Sequence, residues 1–199
     1  MIPGSMAHEV VQAIEAGAMK QSQLPSVFID YLAPSIDTTV SAIGAALWLF
    51  ARNADQWQIL QRDPARIPNA VNEIVRMESA VRAFGRRAVR DTEIEGIRIP
   101  AGSRVLVMFA SANRDERAWI DPDRFDITRD ASRQLGFGHG VHACAGQGLA
   151  RMETEAVLRS LLRQVDGIEL DGTPELAMNN VIRRFETLPL HLIPKGSKA

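Results

Sequence analysis

The chain carries one cysteine, Cys144, among 199 residues. No disulfide can close within it, so a disulfide-stapled secreted scaffold is excluded. Lysine is scarce too: of 23 basic residues only Lys20, Lys195 and Lys198 are lysines, a bias read here as genome composition. Neither sign of charge is in excess, because 23 basic residues face 24 acidic ones for a net charge of −1. That balance gives no electrostatic footprint for a nucleic acid or an anionic membrane as partner. Long apolar runs are missing as well. The longest stretch free of Asp, Glu, Lys, Arg and His, Thr38 to Ala51, has fourteen residues, where a membrane span needs about 20. The opening Met-Ile-Pro-Gly-Ser-Met has neither the basic nor the apolar region of a signal peptide. There is no internal repeat, low-complexity tract or linker. What remains, 46% hydrophobic and 24% charged residues, is ordinary globular composition. A soluble, cytoplasmic protein of one domain or slightly more is expected.

Periodicity gives a run of helices first. Residues 7 to 17 read as a short helix ended by Gly17, and residues 26 to 52 as a longer one containing Pro34. Proline removes a backbone donor and clashes with the carbonyl four residues back, so a kink is expected at Leu32 to Ser35. Beyond Asp37 this helix is apolar on nearly every face (Val40, Ile43, Leu47, Trp48, Phe50), which predicts burial all round. Helices at 54 to 63 and 67 to 78 follow, the second with Val71, Ile74 and Val75 inward. Extended segments are expected at 87 to 89 and 92 to 94, then a hairpin of 97 to 99 with 105 to 109 across a turn at 100 to 103. Residues 110 to 134 read as an irregular, arginine-rich connection. A glycine-rich stretch, Leu135 to Gly146, feeds an amphipathic helix at 147 to 165 lined by Leu149, Met152, Ala156, Leu158, Leu161, Leu162 and Val165. Short closing strands are expected at 168 to 170 and 188 to 193. The fold class is mainly α with small segregated β-sheets, an α+β arrangement.

The glycine-rich stretch carries the chemistry. Gly136, Gly138 and Gly140 alternate, and Gly146 follows Cys144 by two residues. Glycine allows positive φ and close approach of backbone to a flat ligand. Cys144 lies just before a helix N-terminus, where exposed N–H groups and the helix dipole favour an anion. A lone thiolate so placed suits a metal that takes one protein ligand, and haem iron is the main such case. Two other readings use the same residues. His139, His142 and Cys144 are three zinc-type ligands, although a structural zinc wants four. Gly138 to Ala143 also fits a loose dinucleotide fingerprint, which requires an apolar strand where this chain has the polar Arg129 to Gln134.

Phe137-Gly138-His139-Gly140-Val141-His142-Ala143-Cys144-Ala145-Gly146 resembles the cysteine-ligand signature of the cytochrome P-450 superfamily, the haem-thiolate monooxygenases. Three further segments resemble that family in its own order: Asp37-Thr38-Thr39, its acid-alcohol pair; Glu73-Ile74-Val75-Arg76, its Glu-x-x-Arg helix; and Asp123-Arg124-Phe125, whose arginine completes a triad with that pair. The likeness runs from about residue 20 to residue 193. It implies the C-terminal half of the P-450 fold, a region 20–199 in which a kinked distal helix and a proximal helix flank the haem. An N-terminal segment, 1–19, precedes it, with Met1 to Ser5 a candidate tag remnant.

The resemblance implies haem b with Cys144 as axial thiolate and O2 as co-substrate. Phe137, Gly138 and Gly146 would shape the cofactor loop, and His142 and Arg86 would hold the propionates. Arg87, the neighbour of Arg86, points the other way on a strand. Asp37 and Thr38 would serve oxygen activation; read from the residues alone they are equally good N-caps after the kink. Pro34-Ser35 stands where the family usually has Ala-Gly. Glu73, Arg76 and Arg124 would form a buried structural network, whereas spacing alone gives an i, i+3 pair on one helix face. Val81, Arg82, Ala83, Phe84 and Phe185 would face a small organic substrate, Arg82 offering a partner for a carboxylate. The implied function is insertion of one oxygen atom from O2, with electrons from NAD(P)H through a ferredoxin-type or flavin redox partner. The alternatives are a truncated, non-catalytic haem-binding module, which the presence of an N-terminal half would separate from the enzyme, and peroxide-driven oxidation, which needs no redox partner. A missing N-terminal half or self-association is a further partner expectation.

Overall fold

A computed structural model of the chain describes residues 2–196. The chain divides into two compact units, Met1–Asp37 and Thr38–Ala199. The first holds α1 (Met6–Glu15), opened by Ser5, whose hydroxyl accepts the His8 amide at 3.3 Å, with Glu9 in the first turn. It also holds the start of α2 (Leu24–Arg52), which crosses the boundary. The kink expected at Pro34 does not interrupt α2, which is helical throughout. The Ser35 hydroxyl donates back to the Tyr31 carbonyl, one turn earlier, so the turn that proline weakens keeps a local bond. With the turn before it, Gln21–Arg52 makes a helical stretch of 32 residues, long and apolar enough by length and composition to cross a bilayer. Asp30 and Asp37 interrupt the apolar run in the sequence but not the helix.

The second unit builds its core on four helices. Ser41, Ala45, Ala46, Leu49 and Phe50 of α2 are buried, but Val40 is exposed and Ile43 and Leu47 only half-buried, so α2 is not buried all round as expected. Phe50 sits edge-on to Trp57 at 5.2 Å and to Phe125 at 5.4 Å, an arrangement that suits aromatic quadrupoles. Trp57 lies on α3 (Ala54–Arg62). α4 (Ile67–Met77) is buried along nearly its whole length, with Ile67, Ala70, Val71 and Ile74 in the same core. α6 (Gln147–Gln164) packs on α4 with Leu158 and Leu162 inward. Leu149, Met152 and Ala156, expected on that inner side, are exposed. The apolar stripe read from sequence is wider than the strip that α4 and residues 165–170 cover.

The small sheets pair differently from expectation. β1 (Phe84–Arg87) pairs antiparallel with β4 (Arg104–Val107), and β2 (Thr92–Ile94) with β3 (Ile97–Ile99). The expected hairpin of 97 to 99 with 105 to 109 is absent. Glu95 and Gly96, both at positive φ, make the tight turn that joins β2 to β3. The turn at Pro100 to Ser103 then returns the chain to β1, with the Ala88 amide bonded to the Ser103 carbonyl at 3.0 Å. β5 (Val165–Leu170) pairs with β8 (Leu190–Pro194), and β6 (Glu175–Leu176) with β7 (Phe185–Thr187).

Residues 110 to 134 contain little regular structure beyond α5 (Phe109–Ala112), so side chains satisfy their backbone. Asn69 donates to the carbonyls of Ile127 (2.8 Å) and Arg129 (2.6 Å). The Ile127 amide donates to Gln56 at 3.0 Å, and the Leu135 amide to Asn113 at 2.7 Å. This connection therefore reaches the glycine-rich loop in a fixed position.

Candidate functional site

Cys144 is exposed, three residues ahead of α6. Its amide donates to the Phe137 carbonyl at 2.8 Å, which closes the loop from 137 to 144. Ala143 N–H donates to the Gly140 carbonyl at 3.0 Å within that loop, and Gly138 N–H to the Leu135 carbonyl at 2.8 Å at its entrance. Gly138 has φ +73°, a conformation that side-chain-bearing residues rarely adopt, and a Cβ there would only touch the His142 carbonyl at 3.4 Å. A Cβ on Gly136 would meet Val75 Cγ1 at 2.5 Å and the Val75 carbonyl at 2.9 Å, so only glycine lets the loop lie this close to α4.

Behind the loop lies a buried ion pair. Glu73 and Arg76 are both 0% exposed, and Arg76 grips the carboxylate with two bonds, Nε–Oε2 at 2.7 Å and Nη2–Oε1 at 2.9 Å. The same guanidinium donates to the carbonyls of Asn113 (2.7 Å), Pro122 (2.8 Å) and Arg124 (3.3 Å). The third arginine is not the expected one. Arg124 is exposed and contributes only its carbonyl. Arg129 reaches Glu73 Oε1 at 3.3 Å instead, and the Asp126 amide donates to the same oxygen at 3.1 Å. The cause is local. Asp126 caps a turn in which the Arg129 amide bonds to the Asp126 carbonyl at 3.1 Å, and that turn swings Arg129 back to the carboxylate.

The remaining candidates are spread over the second unit, except Asp37, the last residue of the first. Asp37 is exposed and Thr38 half-buried on α2. Arg86 is half-buried on β1, donates to the Gly85 carbonyl at 2.9 Å and lies 5.8 Å from the Phe84 ring centre. His142 is exposed in the loop. Val81 bridges to Ile182, so the segment of Val81, Arg82, Ala83 and Phe84 lies beside the stretch that leads to Phe185. Phe185 packs on α2, 3.6 Å from a Cβ position on Gly44 and with its ring centre 5.8 Å from that of Trp48. Phe84 is partly exposed, edge-on to Phe109 at 6.3 Å. Arg82 is exposed and lines a cleft of about 670 Å³ with Met178, Asn179, Asn180 and Val181.

Sequence reasoning missed Arg129, Asn113 and Arg151. Asn113 is fully buried, takes the Leu135 amide and donates to Ser79 at 3.0 Å, tying α4 to the start of the loop. Arg151 on α6 stacks its guanidinium 4.8 Å from the centre of the Phe137 ring and donates to Asn72 on α4. Burial lowers its pKa from the ordinary arginine value. No local spacing signals any of these partners. The zinc reading has no support in the geometry: among the described residues no three His, Cys, Asp or Glu side chains gather to hold a metal ion. Nor does a strand precede the glycines, as the dinucleotide fingerprint requires.

The family description "Cytochrome P450" matches residues 66–184, more than half of the chain. The chain belongs to the cytochrome P450 family. It is 42% identical over 194 residues to cytochrome p450 CYP199A2 of Rhodopseudomonas palustris, covering 98% of this chain and 47% of that protein. It is 38% identical over 160 residues to 6-deoxyerythronolide B hydroxylase of Saccharopolyspora erythraea, covering 80% of this chain and 40% of the relative. The tirandamycin C-bound P450 monooxygenase TamI superposes with a TM-score of 0.88 at 33% identity, over 93% of this chain and 48% of that one. This P450 chain thus spans about half the length of the relatives it matches.

The family implies a haem, and the residues present fit one. The donor set is a single exposed thiol on a loop kept open by glycines, which suits an iron that brings its own four equatorial ligands. Apolar groups stand exposed in the loop and on the first turns of α6: Val141 at 96%, with Leu149 and Met152. A flat apolar macrocycle is the kind of ligand that would cover them.

Proposed function

We propose that this chain is the haem-binding part of a soluble, cytoplasmic P450 monooxygenase acting on a small organic substrate. The observation that carries the reading is the Cys144 loop, a lone exposed thiol braced from behind by a buried arginine–glutamate network. The bound haem supplies oxygen chemistry, the insertion of one oxygen atom of O2 into the substrate with two electrons from NAD(P)H through a ferredoxin-type or flavin partner.

The chain's own residues bind, orient and handle protons. Cys144 would hold the haem iron through its thiolate sulfur. Phe137, Gly138 and Gly146 hold the loop in the shape that presents it. Arg86 and His142 bind the two propionates by charge-assisted bonds. Asp37 and Thr38, adjacent on α2, hold and pass a proton between carboxylate and hydroxyl. Val81, Arg82, Ala83, Phe84 and Phe185 orient the substrate.

A second reading is a haem-binding module without turnover; this chain spans about half the length of the relatives it matches. The reduced, carbon-monoxide difference spectrum tests the first step, and Cys144→Ser should lose the red-shifted thiolate band. A serine variant that keeps the band refutes the ligand assignment. Turnover with a reductase–ferredoxin pair and a panel of aromatic and terpene substrates separates the two readings. Substrate-dependent product supports the monooxygenase; peroxide without product supports the module.

A further inference from the structure

We infer that Arg151 is a positioning residue for the Cys144 loop, acting as a two-way clamp between the Phe137 ring and α4. The inference rests on the P450 reading only in giving Cys144 its role; the geometry stands without it. Arg151 follows Cys144 by seven residues and lies about one turn into α6. Its guanidinium faces the Phe137 ring at 4.8 Å, within cation–π range. Its Nη1 also donates to Asn72 Oδ1. Phe137 is the residue whose carbonyl accepts the Cys144 amide at 2.8 Å, so the ring that Arg151 holds and the bond that fixes Cys144 belong to one residue. Asn72 immediately precedes Glu73, the buried carboxylate of the ion-pair network. Arg151 therefore joins three things that are distant in sequence: the proximal helix, the thiol loop and the network behind it.

The chemistry requires arginine. A planar guanidinium presents one face to an aromatic ring while an edge N–H donates in its own plane. A lysine ammonium has no such plane and cannot keep both contacts in this geometry. Partial burial, which lowers the Arg151 pKa, fits a group turned inward to these partners and away from water. Glu155, one turn further on, is the nearby carboxylate that pulls the other way, and it is itself paired with Arg159 at 3.2 Å.

The test is residue-resolved amide hydrogen exchange on the full chain, comparing wild type with Arg151→Lys, Arg151→Met and Phe137→Leu. Local opening of the loop should expose the Gly138 and Cys144 amides, raising their exchange about tenfold in Arg151→Lys and Arg151→Met alike. Amides of α4 at Ile74 and Val75 should keep wild-type protection. Phe137→Leu should raise the same loop amides, and Arg151→Met added to it should raise them little further, because the two share one contact. In haem-loaded protein the carbon-monoxide band should divide between thiolate and non-thiolate forms in Arg151→Lys. Wild-type loop protection in Arg151→Lys overturns the clamp. So does a loss of protection spread evenly over α4 and the loop, which marks Arg151 as general scaffold. Failure of haem binding in every protein, wild type included, would count against the P450 reading and leave the exchange result to decide this one.

Discussion

Replacing Arg76 by alanine should be the most damaging single change outside the thiol itself. The guanidinium is wholly buried and makes two bonds to Glu73 and three to carbonyls of Asn113, Pro122 and Arg124. Its loss leaves Glu73 buried with only the longer Arg129 contact at 3.3 Å and the Asp126 amide at 3.1 Å. Stranding one member of a buried pair costs about 3–5 kcal/mol. A domain has about 5–15 kcal/mol in all, so roughly a fifth of the stability or more should go. Arg129→Ala removes a single charge-assisted contact to Glu73 and the bonds to nearby carbonyls, about 1.5–3 kcal/mol. Arg124→Ala keeps the only Arg124 atom in the network, its carbonyl, and should fall within about 0.5 kcal/mol of wild type. Urea unfolding followed by far-ultraviolet circular dichroism measures all three. The order Arg76, then Arg129, then Arg124 is the prediction. An Arg124 variant as destabilised as the Arg129 variant would refute the assignment, and an Arg76 variant that loses under about 1 kcal/mol would refute the buried pair itself.

Three further outcomes are expected. Gly136→Ala puts a methyl group 2.5 Å from Val75 Cγ1 and should cost about 1–3 kcal/mol, with faster alkylation of Cys144 as the loop is pushed off α4; unchanged stability and alkylation rate would contradict it. Hydrogen bonds from the Arg117 side chain, and then from its amide, hold Asp115 down to about 2, against an ordinary 3.8. A lowered folded-state pKa means that its contribution is present above the unfolded value and is lost as pH falls through about 2; a carboxyl titration by NMR with its midpoint near 3.8 in the wild type would refute this. Arg86→Ala and His142→Ala should each weaken haem retention by roughly tenfold, from the loss of a charge-assisted bond, and unchanged haem transfer to apomyoglobin in both would exclude them as propionate partners.

Elements with strong local signals were legible before any coordinates. The helices from residue 54 to 77 and from 147 to 164 follow their periodicity to within a residue or two. Strand pairing was not. The segments 97 to 99 and 105 to 107 are both apolar and flank a proline turn, so pattern alone favours joining them. The pairing turned instead on Glu95 at φ 48°, a non-glycine residue in a conformation that composition does not advertise. β6 and β7 were invisible because two or three exposed residues leave no alternation to read. The exposure of Val40, Leu149 and Met152 failed for a different reason. An apolar stripe states which surface leaves water, and it does not name what covers that surface.

The same division runs through the site. Cys144 and its glycines sit within ten residues of one another, and their chemistry is constrained by spacing alone. Glu73 and Arg76 stand one helical turn apart, so their pairing could be read, though not their burial. Everything that gives this pair its surroundings comes from afar: Asn113, 37 residues beyond Arg76, and Arg129, 56 residues beyond Glu73. The family pattern pointed to Arg124 because it sits beside Phe125, and Phe125 is indeed a core residue against Phe50. But Arg124 closes a turn, its amide bonded to the Asp121 carbonyl at 3.0 Å, and its side chain is exposed while Phe125 is buried. The carboxylate is left for the next arginine that a turn can return to it. The buried charge selects its partner by geometry, which is why the assignment can be settled by comparing two alanine variants five residues apart.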